Sequence, residues 1–579
     1  MCHEVEDRLK AKGWTSALPK INGHIFLIGR EYSGPCSDAL CSHACNIPKP
    51  TGWDMKRVWG QVREQLPDVF RTTVGEKEWM GFLASCRDGA KSGGWSRVNT
   101  AAVYTLRKIM KGLVCGPMDK NNGELCMVCP VLYKEAMDKL YSADGADYRV
   151  IHPKKLTSYK KAKYKGTDLL DEINGQDVPR QRSKGSAADV IGAWKHFYKG
   201  QGWGKLARFD PNGKLGVPYC LFKAKNIIDP EVRAEKWHKA RPLTPTFHHP
   251  MKRLMHMVGK AWYFMARKMK GEHFIIEKTS DVPRFLDSAH AHFGGEEYEA
   301  KVLDIEGCFP NMPKEKIRHA MLEIVRDARD DGHTGVSVPV RGKKLKCSWK
   351  KLEGGFKWLS FEVLLGVLHF SLSQAICRRK DGRILLQILG IPMGDALSPG
   401  MTIGTCGWME REWMRGIDDA TKRHFMARRY MDDVLLLMRK YGWDKLRFYD
   451  EFKKSECYMP PLRLEEAADG TFLETSFDVS HGVMRYRLKN VNAGGKKAVW
   501  RYHSFDSYTT TEQKRSTMLA TLKKVDFMAS DDVERFYSAV DKLREFEDLG
   551  YPATMRRGVC GMLLQERPSL AWGFVGAMQ

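Results

Sequence analysis

The chain has 579 residues, and its 95 Lys+Arg against 70 Asp+Glu give a formal net charge of +25 at pH 7. With 43 % hydrophobic and 11 % aromatic residues it has material for a sizeable core, which excludes a disordered chain. The most apolar window, 361–372, is short and interrupted by Glu362, Gly366 and His369, so no bilayer span is expected; the charge excess points to a polyanion, nucleic acid before an anionic membrane surface.

The first twelve residues are studded with charge and hold no apolar run, so a secretory signal is not expected and a cytoplasmic or nuclear setting is. Fifteen cysteines in such a chain read as reduced thiols or metal ligands, and eight of them precede residue 130. Cys36, Cys41 and Cys45 with His43, and separately Cys115, Cys126 and Cys129, have the ligand types of a zinc site, and Cys126-Met127-Val128-Cys129 has the spacing of a zinc knuckle. No four-ligand pattern closes, and scattered thiols are the alternative reading. Residues 1–148 are thus expected to form a Cys-containing amino-terminal domain. A basic linker or extension over 149–216 follows, in which Lys154, Lys155, Lys160, Lys161, Lys163 and Lys165 interleave with Tyr159 and Tyr164, either as a nucleic-acid surface or as a solvated charge run.

From 217 onward the apolar pattern is dense. Leu254, Met257, Val258, Ala261, Trp262 and Met265 recur at helical spacing and predict an amphipathic helix over 251–268. A short strand is expected at 301–303, ending in Asp304, and Pro313 opens a helix over about 314–327. The compact apolar runs 385–389 and 434–438 predict strands, the first preceded by an Asp381-Gly382 turn, and Pro399-Gly400 opens a buried helix through Met409. Helices alternating with strands in this way predict an α+β enzyme core.

Arg429-Tyr430-Met431-Asp432-Asp433-Val434 sets two adjacent carboxylates before an apolar strand. A tight turn would lift both to a sheet edge, where like charges repel unless cations neutralise them. Val302-Leu303-Asp304 repeats that setting. Strand-end aspartates that converge can hold two magnesium ions about 4 Å apart, the arrangement that clamps the attacking and leaving oxygens of phosphoryl transfer.

In order along the chain, Asp304 to Phe309 resembles the first palm motif of reverse transcriptases, and Gly390-Ile391-Pro392-Met393-Gly394-Asp395-Ala396-Leu397-Ser398-Pro399 their template- and nucleotide-positioning motif. Tyr430 to Asp433 resembles their Tyr-X-Asp-Asp motif. The Met-Gly form of the middle motif is more similar to Penelope-like and telomerase-related reverse transcriptases. Lys223, Lys225 and Arg241-Pro242-Leu243 resemble the family's fingers motifs, and Thr471 to Glu474 with 483–488 resembles the Penelope-like Phe-Leu-Asp segment and primer-grip hairpin, with Glu in place of Asp. The resemblance covers about 217–545.

It implies a right-hand polymerase with an antiparallel-sheet palm: fingers over 217–300, palm over 301–490 with a basic insertion at about 335–355, and thumb and tail over 491–579. The implied activity is RNA-directed DNA synthesis on an RNA template from a nucleic-acid primer and dNTPs, with two Mg2+ ions, or Mn2+ in their place. Asp304, Asp432 and Asp433 are the implied catalytic and metal-holding residues; Lys223, Lys225, Arg241, Phe309, Met393, Gly394 and Ser398 are the implied nucleotide contacts. Phe309 is aromatic where the family's ring excludes a 2′-hydroxyl, and palm core is the other reading of it. Trp349 and the basic residues of 341–351 suit either a strand-binding surface or a solvated loop. A viral-type RNA-dependent RNA polymerase and an idle nucleic-acid-binding relative are the alternative functions.

Overall fold

The computed structural model describes residues 1–13, 18–29, 78, 81, 100–142, 147–151, 186–227, 229–340, 346–454, 457–467, 470–480, 482–489, 501–505, 507 and 509–568. The fold is α+β with antiparallel sheets, as the alternating pattern leads one to expect. Its central sheet runs β13 (Phe425–Tyr430), β14 (Asp433–Arg439), β8 (Tyr298–Ile305), β15 (Leu464–Glu466), every neighbour antiparallel. Both faces of β14 are buried, which is why Val434 to Met438 reads as an unbroken apolar run rather than an alternation. Val434, Leu436 and Met438 enter one core with the helices Lys252–Ala266, Lys314–Asp330 and Ser398–Gly416. Leu435 and Leu437 enter a second core with helices Val282–His292, Thr511–Phe527, Asp532–Asp548 and Ala553–Glu566.

The expected elements of the second half are present with shifted ends: the helix expected over 251–268 spans Lys252–Ala266, and the strand expected over 385–389 is Ile384–Gln387. β8 extends over eight residues because both β14 and β15 supply its ladder bonds. The buried helix continues from Met409 to Gly416, and Asp381-Gly382 turns between β11 (Ile376–Arg378) and β12 (Ile384–Gln387). The hairpin expected at 483–488 is β16 (Thr475–Ser480) paired with β17 (Val483–Leu488).

Two boundaries differ from expectation. The described part of the first 148 residues has a small core of its own around Val5, Leu9, Ile25 and Leu106, but is not closed by it. Its sheet, in the order β1 (Lys20–Ile21), β2 (His24–Ile28), β4 (Asn121–Val128), β3 (Val114–Met118), packs Phe26, Met118 and Val128 against Phe222, Trp237 and Ala240 in one core. Phe222 and Ala240 belong to the hairpin of β6 (Tyr219–Phe222) and β7 (Ala240–Leu243). Nor is 149–216 a linker throughout. β5 (Tyr148–Val150) pairs with β12, and helix Ala187–Gly200 buries Val190, Trp194, Phe197 and Tyr198 in the main core. That apolar stripe outweighs the polar composition around it, while the Lys- and Tyr-rich stretch 152–185 lies outside the described residues.

Trp349, in the basic insertion between β9 (Gly335–Pro339) and β10 (Phe356–Ser360), stacks on His333 with rings 4.5 Å apart and also meets Phe264. Its ring is half-buried against these two side chains. No helix among the described residues is long and apolar enough to cross a membrane.

Candidate active site

The β13–β14 hairpin turns at Met431-Asp432, and Met431 takes φ +60, a left-handed conformation that is costly for a residue with a Cβ. Two contacts hold the turn. The Asp432 carbonyl accepts the N–H of Ile305 at 2.9 Å, and the Met431 carbonyl accepts Nη1 of Arg429 at 2.7 Å. The turn places Asp433 in register opposite Asp304, so the two carboxylates rise from the same face of adjacent strands. One oxygen from each of Asp304, Asp432 and Asp433 lies within 4.8 Å of the others, and all three side chains are half-buried. Three hard oxygen donors this close suit a small divalent cation such as Mg2+, which would relieve their mutual repulsion. Glu465 on β15 is the register partner of Asp304 on its other side, so an acidic row Asp433, Asp304, Glu465 crosses three strands.

Arg429 is fully buried. Its Nε donates to Oε1 of Glu410, and its Nη2 lies 3.4 Å from Oε2. Tyr458 Oη donates to Glu410 Oε1 at 2.7 Å, and the Phe274 N–H donates to Oε2 at 2.9 Å. Burial alone would favour loss of the arginine proton, but the Glu410 carboxylate outweighs it and raises the guanidinium further. The sequence reading assigned Arg429 and Glu410 no role. A signal was present: along β13 the positions of Phe425, Ala427 and Arg429 face inward, so the alternation puts an arginine on the core side.

The segment 390–398 ties the other expected residues together. Ile391 N–H donates to the Phe309 carbonyl at 2.9 Å, and Gly390, at φ +73, comes so close that a Cβ would sit 2.2 Å from the Pro310 carbonyl oxygen. Phe309 is half-buried on the short helix Cys308–Asn311 and packs on the core edge. The Met393 carbonyl accepts the Thr244 N–H at 2.9 Å, and the Gly394 carbonyl accepts Thr246 Oγ1 at 2.7 Å. Thr244 directly follows β7, the strand that carries Arg241. Asp395 and Ser398 are buried: Asp395 accepts Ser371 Oγ at 2.7 Å, and Ser398 Oγ donates to the Pro392 carbonyl at 2.7 Å. Ser398 therefore secures the segment from within.

Arg241 Nε meets Asp119 Oδ1 at 2.8 Å, and the Asp119 N–H donates to the Phe222 carbonyl at 2.9 Å, so the amino-terminal sheet holds this arginine. Lys223 is half-buried beside Asp119 in a strand bridge. Lys225 lies on the helical turn Ala224–Ile227. A cleft of about 850 Å³ with Arg208, Lys252, Arg253 and Lys260 among its lining residues opens along helix Lys252–Ala266. Of the cysteines expected as zinc ligands, Cys36, Cys41 and Cys45 lie outside the described residues. Cys115 pairs with Met127, so Cys115 and Cys126 face opposite sides of the sheet and cannot share an ion. Cys129 instead lies with Cys2 and His24.

No protein-family model matches the chain, and no curated protein matches it. Among solved structures it is similar to the telomerase of Candida albicans in complex with a fragment of telomeric RNA, at 12 % identity over 87 % of this chain and 70 % of that one, with a TM-score of 0.46. Apo telomerase of Candida tropicalis gives 10 % identity over 94 % and 80 % of the two chains, with a TM-score of 0.40. The RNA-dependent RNA polymerase of bacteriophage phi12 gives 11 % over 73 % and 74 %, with a TM-score of 0.34. At these values the reading of the site rests on its own geometry.

Proposed function

We propose that the chain is a template-directed nucleotidyltransferase of the reverse-transcriptase type, extending a primer with dNTPs on an RNA template. The observation that carries the reading is the meeting of Asp304, Asp432 and Asp433 at one end of the central sheet, from two segments far apart in sequence. In the reaction a primer 3′-hydroxyl attacks the α-phosphorus of the incoming nucleotide and pyrophosphate leaves. The three carboxylates would hold Mg2+, which supplies charge neutralisation for the attacking and leaving oxygens. Gly394, exposed at φ +115 with Thr244 behind it, leaves backbone open to a base or sugar. Phe309, five residues beyond Asp304 and bound to the same segment, borders the sugar. Arg241 and Lys223 provide positive charge for the triphosphate, with Asp119 ion-paired to the arginine.

The test is primer extension with four combinations: RNA or DNA template, dNTPs or rNTPs. Extension with dNTPs on RNA supports the reading. Extension with rNTPs alone would move the assignment to an RNA polymerase, and no extension under any combination with Mg2+ or Mn2+ would leave an idle nucleic-acid-binding relative.

A further inference from the structure

Cys2 at the start of helix Cys2–Lys10, His24 at the start of β2, and Cys129 at the amino end of helix Pro130–Leu140 meet away from the carboxylates. Cys129 Sγ lies 3.5 Å from His24 Nδ1, and Cys2 Sγ lies 3.8 Å from the same nitrogen. All three ligand atoms fall within 4.8 Å of one another; Cys129 is buried and the other two are half-buried.

The two sulfurs lie against the same imidazole nitrogen, so three donor atoms converge on one point. A cation at the centre of the triangle serves all three. Tetrahedral zinc, with Zn–S of about 2.3 Å and Zn–N of about 2.0–2.1 Å, sets sulfur and nitrogen ligands about 3.6 Å apart, which lies between the two observed distances. Two thiolates and an imidazole are soft to borderline donors, which select zinc over magnesium.

We infer that Cys2, His24 and Cys129 form a zinc site with His24 bound through Nδ1 and solvent in the fourth position, a clasp fastening the amino-terminal helix to the sheet that holds Arg241 through Asp119. The ligands are 22 and 105 residues apart along the chain, and closing loops of that length is where a cross-link removes the most unfolded-state entropy. The assignment is independent of the polymerase reading.

The test is metal content of the full chain, expressed with zinc and purified without chelator. Cys2→Ser, Cys129→Ser and His24→Ala should each hold one zinc equivalent fewer than the wild type, whereas Cys115→Ser should match the wild type. Subtraction isolates this site from zinc held by other cysteines. His24→Cys guards against variants that lose metal by misfolding: it should keep the equivalent, and after exchange into Co2+ its thiolate-to-cobalt absorption should exceed the wild type's. Equal zinc in the wild type and all three ligand variants, or a wild type with no zinc, would overturn the assignment, as would a His24→Cys protein that folds without metal.

Discussion

The Arg429 guanidinium donates to the Met431 carbonyl at 2.7 Å while its other nitrogens engage Glu410, so a fully buried ion pair stands directly behind the turn that presents Asp432. Two tasks are thereby combined in one side chain: neutralising Glu410 and fixing a turn whose first residue has a left-handed backbone.

Those tasks separate by mutation. Arg429→Met leaves Glu410 buried and uncompensated and should cost about 3–5 kcal/mol. Adding Glu410→Gln should restore part of that stability, because no unpaired charge then remains in the core while the amide oxygen still accepts from Tyr458 Oη or the Phe274 N–H. Extension should stay low in the double variant, since Met431 still lacks its donor. Urea unfolding and primer extension on both variants check this; recovery of full activity in the double variant would show that the arginine serves stability alone.

Asp304→Asn and Asp432→Asn should each remove several kcal/mol of transition-state charge stabilisation, a loss on the order of a thousandfold or more in extension rate, with template binding nearly intact. Asp433→Asn should be harmful with residual activity. Glu465→Gln removes only the outer member of the acidic row, so it should raise the Mg2+ concentration needed for half-maximal rate without abolishing extension. Rates measured across a Mg2+ titration distinguish the four.

Phe309 should set sugar selectivity by steric exclusion. Removing the ring takes away a clash without adding an attraction, so Phe309→Ala should admit rNTPs with little loss of dNTP use. The ratio of kcat/KM values for the two nucleotide types gives the answer, and an unchanged ratio would make Phe309 a core residue only.

His249 is buried against Trp194, and its Nδ1 accepts the Met251 N–H at 3.1 Å; burial lowers its pKa to about 4. His369 is likewise lowered to about 4 by burial, with Arg318 adding to it. A histidine depressed in the folded state is protonated first in the unfolded chain, so stability should fall as pH drops from about 6.5 toward 4, by about 3 kcal/mol for each. His249→Gln should remove roughly half of that combined slope. Thermal unfolding of both proteins across this pH range checks it.

β8, β14 and the acidic turn before β14 were legible because strand-end aspartates and apolar runs are local signals; β13 and β15, which flank them, were not foreseen, since neither carries an unbroken apolar run. Helix Lys314–Asp330 was legible from Pro313 at its start. What escaped was set by packing between distant segments. Helix Ala187–Gly200 sits in a polar neighbourhood and shows its function only where Trp194 and Phe197 meet Phe370. The grouping of Cys129 with Cys2 and His24 could not follow from the spacing of Cys126 and Cys129, since the sheet turns neighbouring residues to opposite faces.

The core shared by Phe26, Met118, Phe222 and Trp237 makes the first 148 residues and the 219–243 hairpin inseparable as building material. A fragment begun at residue 217 would leave Phe222 and Trp237 bare to water and Arg241 without Asp119, so truncation should yield aggregates rather than a minimal enzyme. For the same reason, chimeras joined near residue 148 should fail unless the hairpin is exchanged together with the amino-terminal sheet. The unit that recombination can move intact is therefore spatial, and its two pieces are not contiguous on the gene.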